Sequence, residues 1–110
     1  MKKIFTFFLV LLFISSFNAQ CDHTFTMMDD WGDGWNGATV DITVNGTAVV
    51  TGATAAPGAG GGNLSTEDLL FAASTGDVIA LSNWVSGSFD GEVTWEIKDG
   101  DGIVIASGIH

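Results

Sequence analysis

The residues best suited to chemistry lie in one ten-residue stretch, DDWGDGWNGA, at positions 29–38. Its candidate side-chain oxygen ligands are Asp29, Asp30, Asp33 and Asn36. Carboxylate and amide oxygens suit calcium, a hard cation that takes six to eight oxygen ligands, and the three glycines let the backbone curl and offer carbonyls. The stretch therefore predicts a calcium-binding loop, with a plain turn as the alternative, because Asp and Gly are also common turn residues.

The spacing of this loop is not that of an EF-hand, because Trp31 would stand at the third position and Val40 at the twelfth, where a glutamate is required. The loop also supplies too few ligands for a closed site. A second segment, SFDGE, adds Asp90 and Glu92 before a later predicted strand. The first-choice metal ligands are Asp30, Asp33, Asn36 and Glu92, with Asp29 and Asp90 in reserve.

Three of the four tryptophans, Trp31, Trp35 and Trp84, lie in predicted glycine-containing loops. Each is a candidate ligand-binding residue, because an exposed indole can stack on a sugar ring or contact a partner. Each can equally seal one end of the core, since exposed indoles without a ligand are unfavourable. Trp95 is different, because it alternates in register with Val93 and Ile97 and is predicted to be core.

The sequence gives little support for catalysis. Cys21 is the only cysteine, and His23 and His110 stand near the two ends of the predicted domain. No serine lies in a nucleophile elbow. A pair of carboxylates could serve a glycosidase, but so short a domain leaves little room for a substrate cleft. We therefore expect no enzyme activity.

Alternation with a period of two residues dominates the chain after residue 20 and predicts strands rather than helices. In ATVDITV, Ala38, Val40 and Ile42 share one face, and the Asn45-Gly46 pair that follows predicts a tight hairpin. The predicted strands cover residues 23–28, 38–44, 47–51, 68–73, 78–82, 92–98 and 103–107. We predict an all-β fold, a single antiparallel β-sandwich of seven to eight strands, jelly-roll or Ig/CUB-like.

The segments between these strands predict three loops. Residues 52–63, with five glycines and the only proline, predict a floppy and poorly packed surface loop. Residues 83–91 predict a second irregular loop, and the DGDG sequence at 99–102 predicts a hairpin connection. Ser65 and Asp68 resemble a helix capping box, so one helical turn is the alternative to a strand there.

Residues 1–19 read as a signal peptide, with Lys2 and Lys3 followed by an apolar run too short to span a bilayer. Cleavage there would leave a single domain over residues 20–110. Lys98 would then be the only lysine or arginine against thirteen acids, a net charge of −12. That charge argues against nucleic acid partners and suits divalent cations or neutral ligands, although acidity also simply favours solubility. Cys21 would stand near the new N-terminus, available for a disulfide or a lipid anchor.

The segments CDHTFTMMDDWGDGWNGATVDITVNG, GDVIAL and SGSFDGEVTWEIKDGDGIVIASG together resemble a β-sandwich module of secreted Bacteroidetes proteins, especially flavobacterial ones. That family has an Asp-x-x-Gly-Asp-Gly-Trp-Asn-Gly motif, the likeness is specific over residues 30–37, and its members are often delivered by the type IX secretion route. Its members commonly continue to a second cysteine, so the resemblance implies a fragment or an unusually short relative.

The resemblance implies a non-catalytic module of the outer cell surface or the extracellular space, with an adhesion or accessory role. The expected partners are a surface glycan or a protein, and no transmembrane segment is expected. The expected cofactor is calcium. The alternative function is a structural subunit that assembles with copies of itself through strand pairing and Cys21.

Overall fold

The computed structural model describes residues 20–110, so the predicted signal peptide at 1–19 lies outside the described residues. Seven strands and one short 3-10 turn follow one another in this part of the chain. They are β1 (Cys21–Asp29), β2 (Thr39–Val44), β3 (Thr47–Ala53), β4 (Ser65–Ala73), β5 (Ile79–Val85), the turn η1 (Asp90–Glu92), β6 (Val93–Lys98) and β7 (Val104–Ile109).

The strands form two antiparallel sheets, which confirms the predicted all-β sandwich. One sheet has four strands in the order β4-β1-β6-β7, and the other has three in the order β3-β2-β5. β1 lies in the middle of the four-stranded sheet, where it pairs with β4 on one side and β6 on the other. Within residues 20–110, no helix is long and apolar enough to cross a membrane.

The core lies between the sheets and is built by the predicted alternation. Phe25 and Met27 of β1 are buried and belong to the same apolar cluster as Val40 and Ile42 of β2. Val93 and Ile97 of β6 extend this cluster, and Trp95 packs against it. Because successive side chains of a strand point to opposite faces, these period-two runs dictate both the strands and the buried side of each sheet.

The two predicted hairpins are present. Asn45 and Gly46 connect β2 to β3 with φ of 51° and 80°, as a primed turn requires. Asp99 organises the β6–β7 connection, because its Oδ1 accepts hydrogen bonds from the backbone N–H groups of Asp101 (2.9 Å) and Ile103 (3.0 Å). The carboxylate of Asp99 thus has a turn-forming role.

Several strands extend beyond their predicted limits, and two of these extensions change the interpretation of the sequence. β4 begins at Ser65 instead of residue 68, so the helical alternative for this segment is wrong. β5 continues to Val85, so Asn83 and Trp84 belong to a strand and not to the predicted irregular loop. Asn83 has a positive φ of 52°, and the β2–β5 register shifts beside Asp41. This bulge breaks the period-two pattern, and the continuation of β5 was therefore not visible in the sequence.

Candidate metal centre

Asp29 is the last residue of β1 and its carboxylate organises the loop that follows. The residue is 0% exposed. Its Oδ2 accepts a hydrogen bond of 2.8 Å from the backbone N–H of Gly34, and its Oδ1 a longer one of 3.4 Å from Trp31. Each carboxylate oxygen keeps a further lone pair, so these contacts leave Asp29 able to bind a cation.

The β1–β6 ladder brings Glu92 to this carboxylate. Asp29 is directly opposite Val93 in the register of the two strands. The backbone N–H of Asp30 donates to the carbonyl of Glu92 at 3.2 Å and prolongs the pairing by one step. Asp33 approaches from the loop, so that ligand oxygens of Asp29, Asp33 and Glu92 all lie within 4.8 Å of one another.

Negative charge is concentrated at this cluster. Loss of hydration raises the pKa of Glu92 above its ordinary value, and the charges of Asp33, Asp29 and Asp30 raise it further. Lys98, the only lysine or arginine in residues 20–110, pairs instead with Glu96 at 4.0 Å. No lysine or arginine within the described chain therefore pairs with the three carboxylates.

One oxygen of the cluster has no hydrogen-bond donor. Oε2 of Glu92 is buried and has no partner among the described residues. A buried carboxylate oxygen without a donor is unfavourable, and a bound cation is one species that would satisfy it. The donor set consists of oxygen atoms from carboxylates, which is the chemistry that calcium prefers over softer metals.

The other predicted ligands lie around this cluster in different roles. Asn36 donates from its amide nitrogen to Oδ1 of Asp33 at 2.9 Å and to the carbonyl of Gly34 at 3.0 Å. A donating amide N–H is not a metal ligand, so through this contact Asn36 positions Asp33. Asp30 is exposed and contributes charge near Glu92 without joining the group of three.

Asp90 is used within its own loop. Its Oδ1 accepts a hydrogen bond of 2.7 Å from the backbone N–H of Gly87, and its Oδ2 lies 3.8 Å from Nδ1 of His110. Of the two reserve candidates, the structure thus brings Asp29 into the carboxylate cluster and leaves Asp90 outside it. The sequence could not predict which of these two reserve ligands joins the cluster, because the side-chain directions at the end of β1 depend on the β1–β6 register.

The three loop tryptophans were predicted either to bind a ligand or to seal the core, and the structure separates them. Trp35 is 1% exposed, its Nε1 donates to the carbonyl of Met28 at 3.0 Å, and its ring meets Phe25 edge-on at 6.2 Å. The binding-platform interpretation is therefore wrong for Trp35, which seals the core. Trp84 is half-buried between Trp35 (6.0 Å) and His110 (4.8 Å). Trp31 is 51% exposed and remains the candidate for ligand contact.

Residues 52–63, the glycine-rich segment predicted to be floppy, pack against the acidic loop that follows β1. Its first two residues, 52 and 53, belong to β3. Gly58 and Gly60 both donate from their backbone N–H groups to the carbonyl of Gly32, at 3.0 and 2.9 Å, and Gly62 donates to the carbonyl of Trp31 at 3.0 Å. Residues 54–63 thus form the predicted surface loop, but the prediction of poor packing is wrong, because the glycines permit close backbone approach between two loops.

An open cavity of about 340 Å³ lies over the cluster, lined by Trp31, Asp33, Phe89 and Glu92. Phe89 was not among the site residues predicted from the sequence, although a large apolar residue inside the polar SFDGE segment was a usable signal. Phe89 is 54% exposed.

Cys21 is at the opposite end of β1 from Asp29 and is exposed, and its predicted disulfide or lipid anchor stays a prediction.

Comparison with known proteins adds no assignment, since no family model, curated protein or solved structure matches the chain.

Proposed function

We propose that this chain is a non-catalytic, secreted or cell-surface β-sandwich module that is stabilised by calcium and binds a glycan or a protein partner. The observation that carries the proposal is the convergence of Asp29, Asp33 and Glu92, with one buried oxygen of Glu92 left without a donor. The likeness of residues 30–37 to the Bacteroidetes surface modules supports the location and the adhesion or accessory role.

Calcium fits the cluster better than a transition metal would. No histidine or cysteine belongs to the group of three, and their softer or nitrogen-donating side chains are what zinc and copper sites commonly use. Calcium also tolerates irregular coordination and accepts water or carbonyl oxygens beside carboxylates. Asp29, Asp33 and Glu92 would hold the ion, and Asn36 would keep Asp33 in position.

Binding of the ion would stabilise the fold, because the cluster exists only when β1 and β6 are paired. A cation that binds the native state alone adds about 2.7 kcal/mol when its free concentration is about 100 times its Kd. For a domain of this size, each kcal/mol raises the melting temperature by about 4–8 °C. Saturating calcium should therefore raise the melting temperature by roughly 10 °C or more.

The test is a pair of melting curves, one with excess calcium and one with calcium removed by a chelator, with magnesium as a comparison ion. We expect calcium to raise the melting temperature and magnesium to raise it less, since magnesium demands a stricter octahedral geometry. Superimposable curves with calcium and with chelator would remove the metal from the proposal.

A self-assembling structural subunit is the second candidate, and the edge of the four-stranded sheet favours it. β7 pairs with β6 alone among the described strands, and Val104, Ile105 and Ile109 on it are exposed. An apolar edge strand is a ready template for pairing with another chain. Light scattering under oxidising and reducing conditions tests this candidate, and a strict monomer in both would contradict it.

A further inference from the structure

The cavity above the carboxylate cluster combines two kinds of surface. Trp31 and Phe89 both line it, and these residues are 51% and 54% exposed. Asp33 and Glu92 line the same cavity, so the aromatic rings border the carboxylates that would hold the ion. A ligand in this cavity would contact an apolar wall and the ion at the same time.

Backbone contacts hold Trp31 in place on both sides. Its N–H donates to Asp29 at 3.4 Å, and its carbonyl accepts from Gly62 at 3.0 Å. The Cβ that a larger residue would add at Gly62 would lie 3.7 Å from the indole ring, so the glycine-rich segment lies against the ring. A platform ordered before binding loses less entropy when a ligand stacks on it.

The protein ligands leave the coordination of calcium incomplete. With one ligand oxygen from each of the three carboxylates, half or more of the six to eight positions around calcium stay open to the cavity, and neutral hydroxyl oxygens are suitable further ligands. Two adjacent hydroxyls of a sugar ring could take two such positions while the apolar face of the ring stacks on an indole. The cavity volume of about 340 Å³ is at the small end of ligand sites and suits one or two sugar rings.

The charge of the domain selects among sugars. With Lys98 as the only lysine or arginine in residues 20–110, sulfated or carboxylated glycans would meet repulsion. We propose that the groove between Trp31 and Phe89 binds a neutral glycan through vicinal hydroxyls that coordinate the calcium ion directly. This inference rests on the proposed calcium site and adds the class of ligand and its mode of binding.

The test is affinity electrophoresis through gels that contain galactomannan, a neutral polysaccharide with vicinal hydroxyls, or hyaluronan, an anionic one. We expect galactomannan to retard the protein in calcium but not after chelation, and hyaluronan to have no effect. Trp31→Ala and Phe89→Ala should each raise the dissociation constant obtained from the retardation at least tenfold. Both variants should keep the calcium-induced rise in melting temperature. Val78→Ala is the matched control, because Val78 is 67% exposed and lies beside the β2–β3 hairpin at the other end of β2.

The outcomes separate the two proposals. If calcium does not move the melting curve, the calcium site itself fails. If calcium does move it and galactomannan does not retard the protein, only the glycan inference is overturned. Retardation that survives chelation, that persists in both aromatic variants, or that is equally strong with hyaluronan would also overturn it.

Discussion

Asp29 and Glu92 are distant in the chain, yet their carboxylates meet because Asp29 stands directly opposite Val93 in the β1–β6 ladder. The two strands therefore assemble the acidic cluster as a consequence of folding. Without calcium, the clustered carboxylates repel one another inside the fold. The stability of the domain therefore depends on what neutralises Glu92.

Glu92→Gln should change the stability of the calcium-free and calcium-bound protein in opposite directions. Without calcium, the amide removes a charge whose pKa is raised by lost hydration and by Asp33, Asp29 and Asp30, so the melting temperature should rise by a few degrees. With calcium, the variant lacks a ligand and should show little further rise. Differential scanning calorimetry in both conditions measures this, and Asp101→Asn, an exposed change of equal charge in the β6–β7 connection, is the control. A calcium response that Glu92→Gln leaves intact would exclude Glu92 as a ligand.

The stabilisation by calcium should decrease as the pH falls. The folded state holds a proton on Glu92 more tightly than the unfolded state does, because its pKa is raised. In calcium-free protein, the contribution of this group to stability is greatest below its ordinary pKa and is lost as the pH rises through the raised pKa. Calcium must displace that proton, so the difference in melting temperature between calcium-loaded and calcium-stripped protein should shrink as the pH falls from neutral towards the raised pKa of Glu92.

Asp77 provides an internal check on this pH effect. A hydrogen bond from the backbone of Ser74, and then one from the side chain of Asn45, lower the pKa of Asp77. Its contribution to stability is present above its ordinary pKa and is lost as the pH falls through the lowered pKa. That loss occurs with and without calcium, so Asp77→Asn should leave the calcium-dependent difference unchanged. A difference that stays constant over the same pH range in the wild type would contradict protonation of the metal ligands.

Gly32→Ala should destabilise the protein more than Gly46→Ala, although both glycines have φ of 80°. An alanine at either position adopts a left-handed conformation at about 1–2 kcal/mol. At Gly46 a new Cβ meets no atom within 4 Å, whereas at Gly32 it would fall on the carbonyl oxygen of Asn63. Overpacking of this kind adds about 1–3 kcal/mol. Urea unfolding measures both variants, and equal losses would show that the two loops do not pack as described.

Trp35→Ala and Trp31→Ala should separate the sealing role from the binding role. Trp35 is fully enclosed, so its removal should lower the free energy of unfolding by about 3–5 kcal/mol. Trp31 is half exposed, and its removal should lower that free energy by about 1 kcal/mol or less. Chemical denaturation gives both values. A loss at Trp31 as large as that at Trp35 would mean that its ring is part of the packed core.

The sequence predicted the sandwich because its strands carry regular alternation, as at Val40 and Ile42, and because Asn45-Gly46 admits few other conformations. It predicted less where that pattern is interrupted. The bulge at Asn83 concealed the end of β5, and composition alone made residues 52–63 look unpacked. Both misses arise from backbone contacts between segments that are distant in sequence.

For the site, the sequence identified the two acidic segments and predicted that both are required to supply enough metal ligands. It could not rank Asp29 above Asp90, because the choice depends on the β1–β6 register and on the bond from Gly87 to Asp90. Nor could it show that Asn36 donates to Asp33. Those details depend on side-chain directions that tertiary pairing sets.

The most direct measurement is a crystal structure of the protein grown with millimolar calcium, with anomalous data collected to identify the ion. We predict a calcium peak among Asp29, Asp33 and Glu92, with carboxylate oxygens at about 2.3–2.6 Å from it. The same three carboxylates in the same arrangement, with no anomalous peak between them at that calcium concentration, would contradict the calcium site.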